Sequence, residues 1–417
     1  MADLFDKCRT DGGYFGNFRA EGDEYYTQPI LEGLPGPHMG FQGKEMIVWA
    51  LNNYLGLAGN ERIMAAAQEA VRKWGTFTPM GSRMLTGNTE EHKALEGSLA
   101  RFLKKPAAVL FNYGYLGVLG TISALVGAED VVIMDKLSHA SIVDATLLAS
   151  AGRRFRVFKH NDMNDLEAQL KAANRDRKGG LLIVTEGVFG MRGDIANLPV
   201  ICDLKERYQA RLFVDDAHGF GVMGPHGRGS GEHYGVQDRI DLFFGTFAKA
   251  FAAIGGVTAG EAEPIEYIRY NARSNVFAKS LPMVYVETLA ATLEEVIART
   301  DLRERLRRIT ALLQDGLVDL GYDIGDTQSP ITPVYVPAGS EETAKEMIRM
   351  LREDYGIFVS GVTYPVVPRG IVLFRIIPTA AHSEEDVERT LEAFKGLRDR
   401  MKIDLSVRSA IHNSLTS

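Results

Sequence analysis

Arg211-Leu-Phe-Val-Asp215-Asp216-Ala-His218-Gly-Phe-Gly and, a short interval later, Phe243-Phe-Gly-Thr246-Phe-Ala-Lys249-Ala-Phe-Ala-Ala-Ile-Gly-Gly decide how the rest of the chain is read. Each half opens on a brief apolar run of the kind that makes a strand buried on both faces. Each then closes on polar side chains, at the carboxyl end where the parallel strands of an open sheet present chemistry. The first half offers a carboxylate and an imidazole three residues apart, Asp215 and His218. The second offers a hydroxyl, Thr246, and three residues on a lysine, Lys249.

Outward from this pair, apolar strands alternate with helical segments from Ala107 to about Gly260. Strands are predicted at 107–111, 131–134, 155–158, 181–185, 212–214 and 242–244, an alternation that makes a mostly parallel, doubly wound sheet with helices on both faces. Upstream, Asn60 is placed to cap a helix over 61–74 that Gly75 ends, and Thr89 precedes a second helix over 90–103. Downstream, a helical period runs from Val284 to about Leu320; strands at 330–336, 358–359 and 372–376 then lie between helices at 342–355 and 384–401. The expected organisation is an N-terminal arm over 1–45, a large domain over 46–290 and a smaller α+β domain over 291–417. A chain of 417 residues is long for a single core, which fits that division.

Composition narrows the classes. Net charge is −7 and the pI about 5.8, a balance opposite to that of a nucleic-acid surface. Two cysteines, Cys8 and Cys202, make no disulfide framework and no metal pair, as suits a reducing, cytoplasmic compartment. No apolar run approaches the ~20 residues of a membrane span, which leaves peripheral membrane contact open. Gly219-Phe-Gly221-Val-Met-Gly224 spells a dinucleotide fingerprint, but Pro225-His-Gly-Arg-Gly follows where a helix would have to start, so no nicotinamide site is expected. Nor does any His/Cys/Asp/Glu cluster show metal-ligand spacing.

The ordinary place of a lysine is solvated surface, yet Lys249 lies between Phe247 and Ala250-Phe251-Ala-Ala-Ile, with almost no polar company. Desolvation lowers the pKa of an amine and frees it for imine formation. Asp215 ends an apolar strand, where an unpaired carboxylate is costly and a protonated pyridine nitrogen would be a partner. Carboxylate, imidazole and lysine on neighbouring strand ends therefore suit a pyridine cofactor held as a Schiff base. A phosphate needs backbone N–H groups at a helix start, and Phe111-Asn112-Tyr113-Gly114-Tyr115, a strand end with a glycine turn before a helix, supplies them.

Asp215-Asp-Ala-His218, the step to Lys249 and Gly-Thr246-Phe-Ala-Lys249 together resemble the pyridoxal 5'-phosphate (PLP) site of the α-oxoamine synthases, over about Asn52 to His382. The resemblance implies the fold type I aminotransferase architecture, PLP as cofactor and a homodimer with shared active sites. It also implies roles: Lys249 carries the cofactor, Asp215 meets its ring nitrogen, His218 its phenolic oxygen, and His139 stacks on the ring. Tyr113, Gly114, Tyr115 and Thr246 fall at the phosphate, with Ser280 arriving from the partner subunit. Asn52 and Arg375 match the family's amino-acid contacts, and Arg83, in its Gly-Ser-Arg loop, is a further candidate substrate contact.

The implied reaction is decarboxylative condensation of an acyl-CoA, or an acyl carrier protein thioester, with a small α-amino acid. Asn271-Ala-Arg273 and His160-Asn-Asp-Met look most like bacterial serine palmitoyltransferases, near which stands a relative that uses cysteate. The expected product is a 3-keto long-chain base, the first step of sphingolipid or sulfonolipid synthesis. Three departures bear on the amino acid: Gly190 stands where the family usually has serine, Arg192 where it has an acid, and Lys279 where it has a small or polar residue. Either cation could meet a sulfonate or pair with local carboxylates. Another α-oxoamine synthase activity, such as that of aminooxononanoate synthase or aminoketobutyrate ligase, an aminotransferase and a catalytically dead scaffold on the same fold remain the alternatives.

Overall fold

The computed structural model describes residues 3–10, 23–149, 154–337, 340–364 and 366–405. Among the described residues the chain divides into two compact units, one formed by those up to Leu51, 309–325 and those from Ile331 on, the other by those within 52–308 and by 326–330. The first six residues of the expected large domain, 46–51, thus fold with the smaller unit. The cause is strand pairing: Lys44–Val48 pairs antiparallel with His38–Phe41 and parallel with Ile357–Phe358, so the segment before Asn52 is bound to a C-terminal strand.

In the larger unit, among the described residues, seven strands form one sheet: β1 (Ala107–Phe111), β2 (Val131–Asp135), β3 (Phe155–Phe158), β4 (Leu181–Glu186), β5 (Arg211–Asp215), β6 (Leu242–Thr246) and β7 (Gly256–Gly260). Their order across the sheet is β1-β7-β6-β5-β4-β2-β3. β2 to β6 run parallel, and β7 lies antiparallel between β6 and β1. Helices Gly114–Leu125, Ala140–Ala149, Met163–Asp176 and Leu198–Arg207 are the crossovers. β2 and β4 are buried at every residue, which is why they read as unbroken apolar runs rather than alternating ones. Val109, Val132, Val184 and Phe213 pack with Val118, Ile122 and Ile142 of the covering helices. Asp162 and Asn197 cap two of the crossovers through their side chains.

The smaller unit has an antiparallel sheet in which Leu373–Ile376 lies between Thr332–Tyr335 and Ser360–Val362. Its core joins Trp49, Leu313, Leu317, Met347, Leu351, Phe374 and Phe394. The expected strand at 358–359 divides here: Ile357–Phe358 serves one sheet and Ser360–Val362 the other. The long helical period after Val284 is two helices, Met283–Ala298 and Thr300–Asp319, separated at Arg299.

Candidate active site

Because β1, β2, β4, β5 and β6 all point the same way, their carboxyl ends bring Tyr113, Asp135, Glu186, Asp215 and Thr246 to one edge of the sheet. Lys249 follows β6 in a turn closed by Ala252 N–H to the Lys249 carbonyl at 2.9 Å. The turn rests on an aromatic floor. Phe220 and Phe251 stack with ring centroids 4.4 Å apart, and Phe243 and Phe247 pack around them, all four buried. A Cβ on Gly245 would lie 2.6 Å from Phe220, so only glycine lets β6 settle on that floor.

Lys249 Nζ is 2.7 Å from His218 Nε2, and His218 Nδ1 is 2.8 Å from the Tyr54 hydroxyl. An ammonium only donates, so with Lys249 protonated Nε2 accepts and Nδ1–H donates to the Tyr54 oxygen. Asp215 is 5 % exposed and accepts the Ala217 N–H at 3.1 Å. Burial raises its pKa, with Lys249, His139 and that N–H acting in the opposite sense. His139 keeps one side open to solvent, yet is enclosed enough that desolvation lowers its pKa; Asp215 raises it and Lys249 lowers it further. The Ser141 N–H points at His139 Nδ1 (3.2 Å), which leaves the ring proton of the neutral form on Nε2.

Gly114 opens the helix after β1, whose preceding residue, Tyr113, provides no side-chain cap. A Cβ on Gly114 would come within 2.7 Å of Thr246 Oγ1. The bare glycine brings uncapped helix N–H groups against the Thr246 hydroxyl, a cradle suited to a phosphate. These residues fit PLP: an amine for its aldehyde, a buried acid for its ring nitrogen, an imidazole beside both, and a helix start for its phosphate.

Tyr115 instead donates its hydroxyl to Asp144, its ring edge-on to His139 at 6.3 Å. Arg83 is committed inside the protein, 3.0 Å from Glu96, an acid that also binds Arg269 and the Leu110 N–H. Its side chain is 6 % exposed, so the structure does not bring it forward as a substrate contact. Arg192 lies 3.4 Å from Asp194. Lys279 Nζ donates to the Met80 carbonyl and meets no carboxylate among the described residues. Ser280, buried, is packed against Gly81 and Gly87. Asn52 is half-buried, two residues before Tyr54. Arg375, in the smaller unit, is buried opposite Ser360 on one neighbouring strand and Pro333 on the other.

Two residues escape the sequence reading. Tyr54 sits in Asn52-Asn-Tyr54-Leu-Gly, but nothing there signals a partner 164 positions away. Glu186 did carry a signal, the same one as Asp215: an acid ending an apolar strand. The two are register partners on adjacent strands. Burial, reinforced by Asp215, pushes the Glu186 carboxyl up to about 8, against the pull of Lys249 and the Gly190 N–H. Asp216, which reads as a turn aspartate, is fully buried and receives the Ser230 N–H at 2.5 Å. Residues 219–229 form turns rather than a helix, so the glycine fingerprint has no dinucleotide geometry.

Fold and site define a fold type I PLP enzyme. Residues 44–394 match the family of class I and II aminotransferases. Over its whole length the chain is 46 % identical to the cysteate-C-fatty acyltransferase of Capnocytophaga ochracea, of which it covers 99 %. It is 39 % identical to the 8-amino-7-oxononanoate synthase of Alkaliphilus oremlandii, over 91 % of this chain and 94 % of that one. A solved structure of SPT with its PLP internal aldimine superposes with a TM-score of 0.89 at 31 % identity, covering 97 % of this chain and all of that one. The chain belongs to the α-oxoamine synthases, and is a PLP-dependent acyltransferase.

Proposed function

We propose that this enzyme condenses a long-chain acyl thioester with cysteate, giving an amino ketone, CO2 and the free thiol. The observation that carries the chemistry is Lys249 Nζ at 2.7 Å from His218 Nε2, beside the buried Asp215. PLP, when bound, supplies an aldehyde for the amino group and a ring that takes up the electron pair left at Cα. The protein does the rest. Asp215 would hold the ring nitrogen; burial raises its pKa, and the neighbouring Lys249 works against that rise. Lys249, once released by the incoming amine, is the base that removes the Cα proton. His218, fixed by Tyr54, lies beside the lysine and would meet the cofactor's phenolic oxygen. Arg375 takes the substrate carboxylate with its planar fork. The Cα–acyl bond forms as the thioester C–S bond breaks. The carboxylate, now β to a ketone, leaves as CO2, and a proton returns to Cα.

The preference for cysteate over serine leans on the full-length similarity to a cysteate-C-fatty acyltransferase. Arg192 faces Asp194 at 3.4 Å without a formed hydrogen bond, whereas Lys279 has, among the described residues, only a neutral carbonyl as its partner, so Lys279 is the cation with no carboxylate beside it to offer a sulfonate. Around Lys279 the apolar side chains of Phe77, Met80, Leu85 and Phe277 are 48, 65, 84 and 74 % exposed. That apolar surface supports a homodimer in which this region, with Ser280, meets the partner's site. No helix among the described residues is long and apolar enough to cross a membrane. A cytoplasmic enzyme in peripheral contact with lipid fits a long-chain acyl donor.

The test offers purified enzyme cysteate, serine, glycine and alanine, each with palmitoyl-CoA, and measures CoA release. Cysteate should lead, Lys279→Gln should erode that lead, and Lys249→Ala should abolish all turnover. Serine leading, with no effect of Lys279→Gln, would make this a serine palmitoyltransferase. Amino-group exchange with a keto acid and no need for CoA would make it an aminotransferase.

A further inference from the structure

We propose that His160, as an imidazolium, is a positioning residue that clamps together two loops at the cofactor ring: the turn carrying His139 and the hairpin carrying Gly190. The proposal rests on the PLP reading of the site.

The first loop is built on Asp135, the last residue of β2, which is 1 % exposed. Its Oδ1 accepts the Leu137 N–H at 2.8 Å and its carbonyl accepts the Ser138 N–H at 3.2 Å, shaping the turn that leads to His139. The second loop is a tight hairpin. Val188 bridges Ile195, the Gly193 N–H donates to the Phe189 carbonyl at 2.8 Å, and the Phe189 N–H to the Asp194 carbonyl at 3.0 Å. Gly190 at its tip stands against the site: a Cβ there would lie 2.5 Å from His218 Nε2.

His160 joins the two loops. Nδ1 is 3.0 Å from Asp135 Oδ1, and Nε2 is 2.7 Å from Asp194 Oδ2. The neighbouring Asn161 repeats the link: its N–H donates to Asp135 Oδ2 at 2.8 Å, and its side-chain amide donates to the Ile195 carbonyl at 3.0 Å. The ring is packed edge-on against Phe189, 4.4 Å between centroids. Two carboxylates facing both ring nitrogens are satisfied only when both nitrogens carry protons, because a neutral imidazole has one donor and one acceptor.

The titratable and charged groups around the ring are Asp135 from β2, Asp194 and its partner Arg192 from the hairpin, and Glu186 at the end of β4, whose carboxyl feels the Asp135 charge. Burial would lower the pKa of His160, but its hydrogen bonds to Asp135 and Asp194 override that and raise it to about 9. The folded pKa thus lies above the unfolded value of about 6.5. The clamp is fully made below about 6.5 and is lost as pH rises through about 9.

The test compares wild type, His160→Gln and Asp194→Asn by titrating apo-protein with PLP across neutral to alkaline pH. Apo-protein is also labelled at histidine with nitrogen-15 to read the ring's protonation. Near neutral pH, His160→Gln should weaken PLP binding on the order of tenfold, the scale of one lost charge-assisted hydrogen bond. The ratio of variant to wild-type Kd should fall towards one above about pH 9, where the wild-type ring is neutral too. Asp194→Asn should shift the same ratio in the same direction, and is the deciding variant if His160→Gln does not fold. Equal affinities at neutral pH, a ratio that does not change with pH, or a His160 ring singly protonated at neutral pH would each overturn the clamp. A wild-type protein that binds no PLP would instead overturn the cofactor reading, leaving the ring protonation to be judged on its own.

Discussion

Gly190 is the position where a single methyl group should tell most about this site. In Gly190→Ala the new Cβ would lie 2.5 Å from His218 Nε2, closer than real Cβ contacts come, and 3.0 Å from Cδ2. Neither side retreats freely. The hairpin is tied by Val188–Ile195, by the Gly190 N–H to Glu186 at 3.2 Å, and by the Asp194–His160 contact. His218 is tied by Tyr54 and Lys249. Turning the imidazole aside gives up one hydrogen bond, about 1 kcal/mol, and an off-rotamer side chain adds about 0.5–1.5 kcal/mol. The sum sits within the ~1–3 kcal/mol usual for an overpacked site. On the proposed reading His218 also holds the cofactor, so the penalty should surface in PLP affinity, as a loss of about five- to a hundredfold. The assay is absorbance titration of apo-protein with PLP, alongside thermal unfolding of the same apo-protein. Gly190→Ser carries the same Cβ and should be no better, unless its hydroxyl finds a partner. An alanine variant that binds PLP as tightly as wild type, with an unchanged melting temperature, would refute the idea that His218 is fixed against the hairpin.

Tyr54→Phe should cost about 1–3 kcal/mol in chemical denaturation, because it strips the buried His218 Nδ1 of its partner; a change within error would mean that the ring is satisfied elsewhere. Asp215→Asn should still bind PLP but exchange the substrate Cα proton far more slowly in deuterated water, and undiminished exchange would reassign the ring-nitrogen partner. Glu186→Gln should show a pH signature. The folded carboxyl titrates near 8 against 4.5 in the unfolded chain, so the folded state holds the extra proton and wild-type stability falls as pH rises between those values. Glutamine cannot ionise, so the melting temperature of the apo variant should gain on wild type from about pH 5 to about 8, and parallel curves would show Glu186 to be ionised throughout.

What was legible in the sequence follows the physics of burial. Strands buried along their length announce themselves as apolar runs, so β1, β2, β4, β5 and β6 could be found within a residue or two, and the partly buried edge strand β3 from its Phe155-Arg-Val-Phe158 run. β7 could not: Gly256-Val-Thr-Ala-Gly260 is made of small residues, because it is flanked by Phe244 and β1 and has no room for larger ones. Acids ending apolar strands are readable because they are expensive, which is why Asp215 stood out and why Glu186 could have. Tyr54 and the His160 clamp were illegible for the opposite reason, since their partners are brought near only by the fold. Arg83 shows the remaining difficulty: an arginine in a glycine-rich loop reads alike whether it faces a ligand or an internal acid such as Glu96.

The aromatic floor under Lys249 has a mechanical consequence. On the proposed mechanism Lys249 would both carry the cofactor and act as a base, so its amine has to travel, and travel on a loose loop would cost a search at every turnover. Here Phe220, Phe243, Phe247 and Phe251 mount the backbone as if on a stone block, leaving four side-chain torsions as the whole range of movement. The amine is tethered rather than mobile: its local concentration at Cα is set by the length of a side chain, and it finds its way home without the rest of the loop having to move.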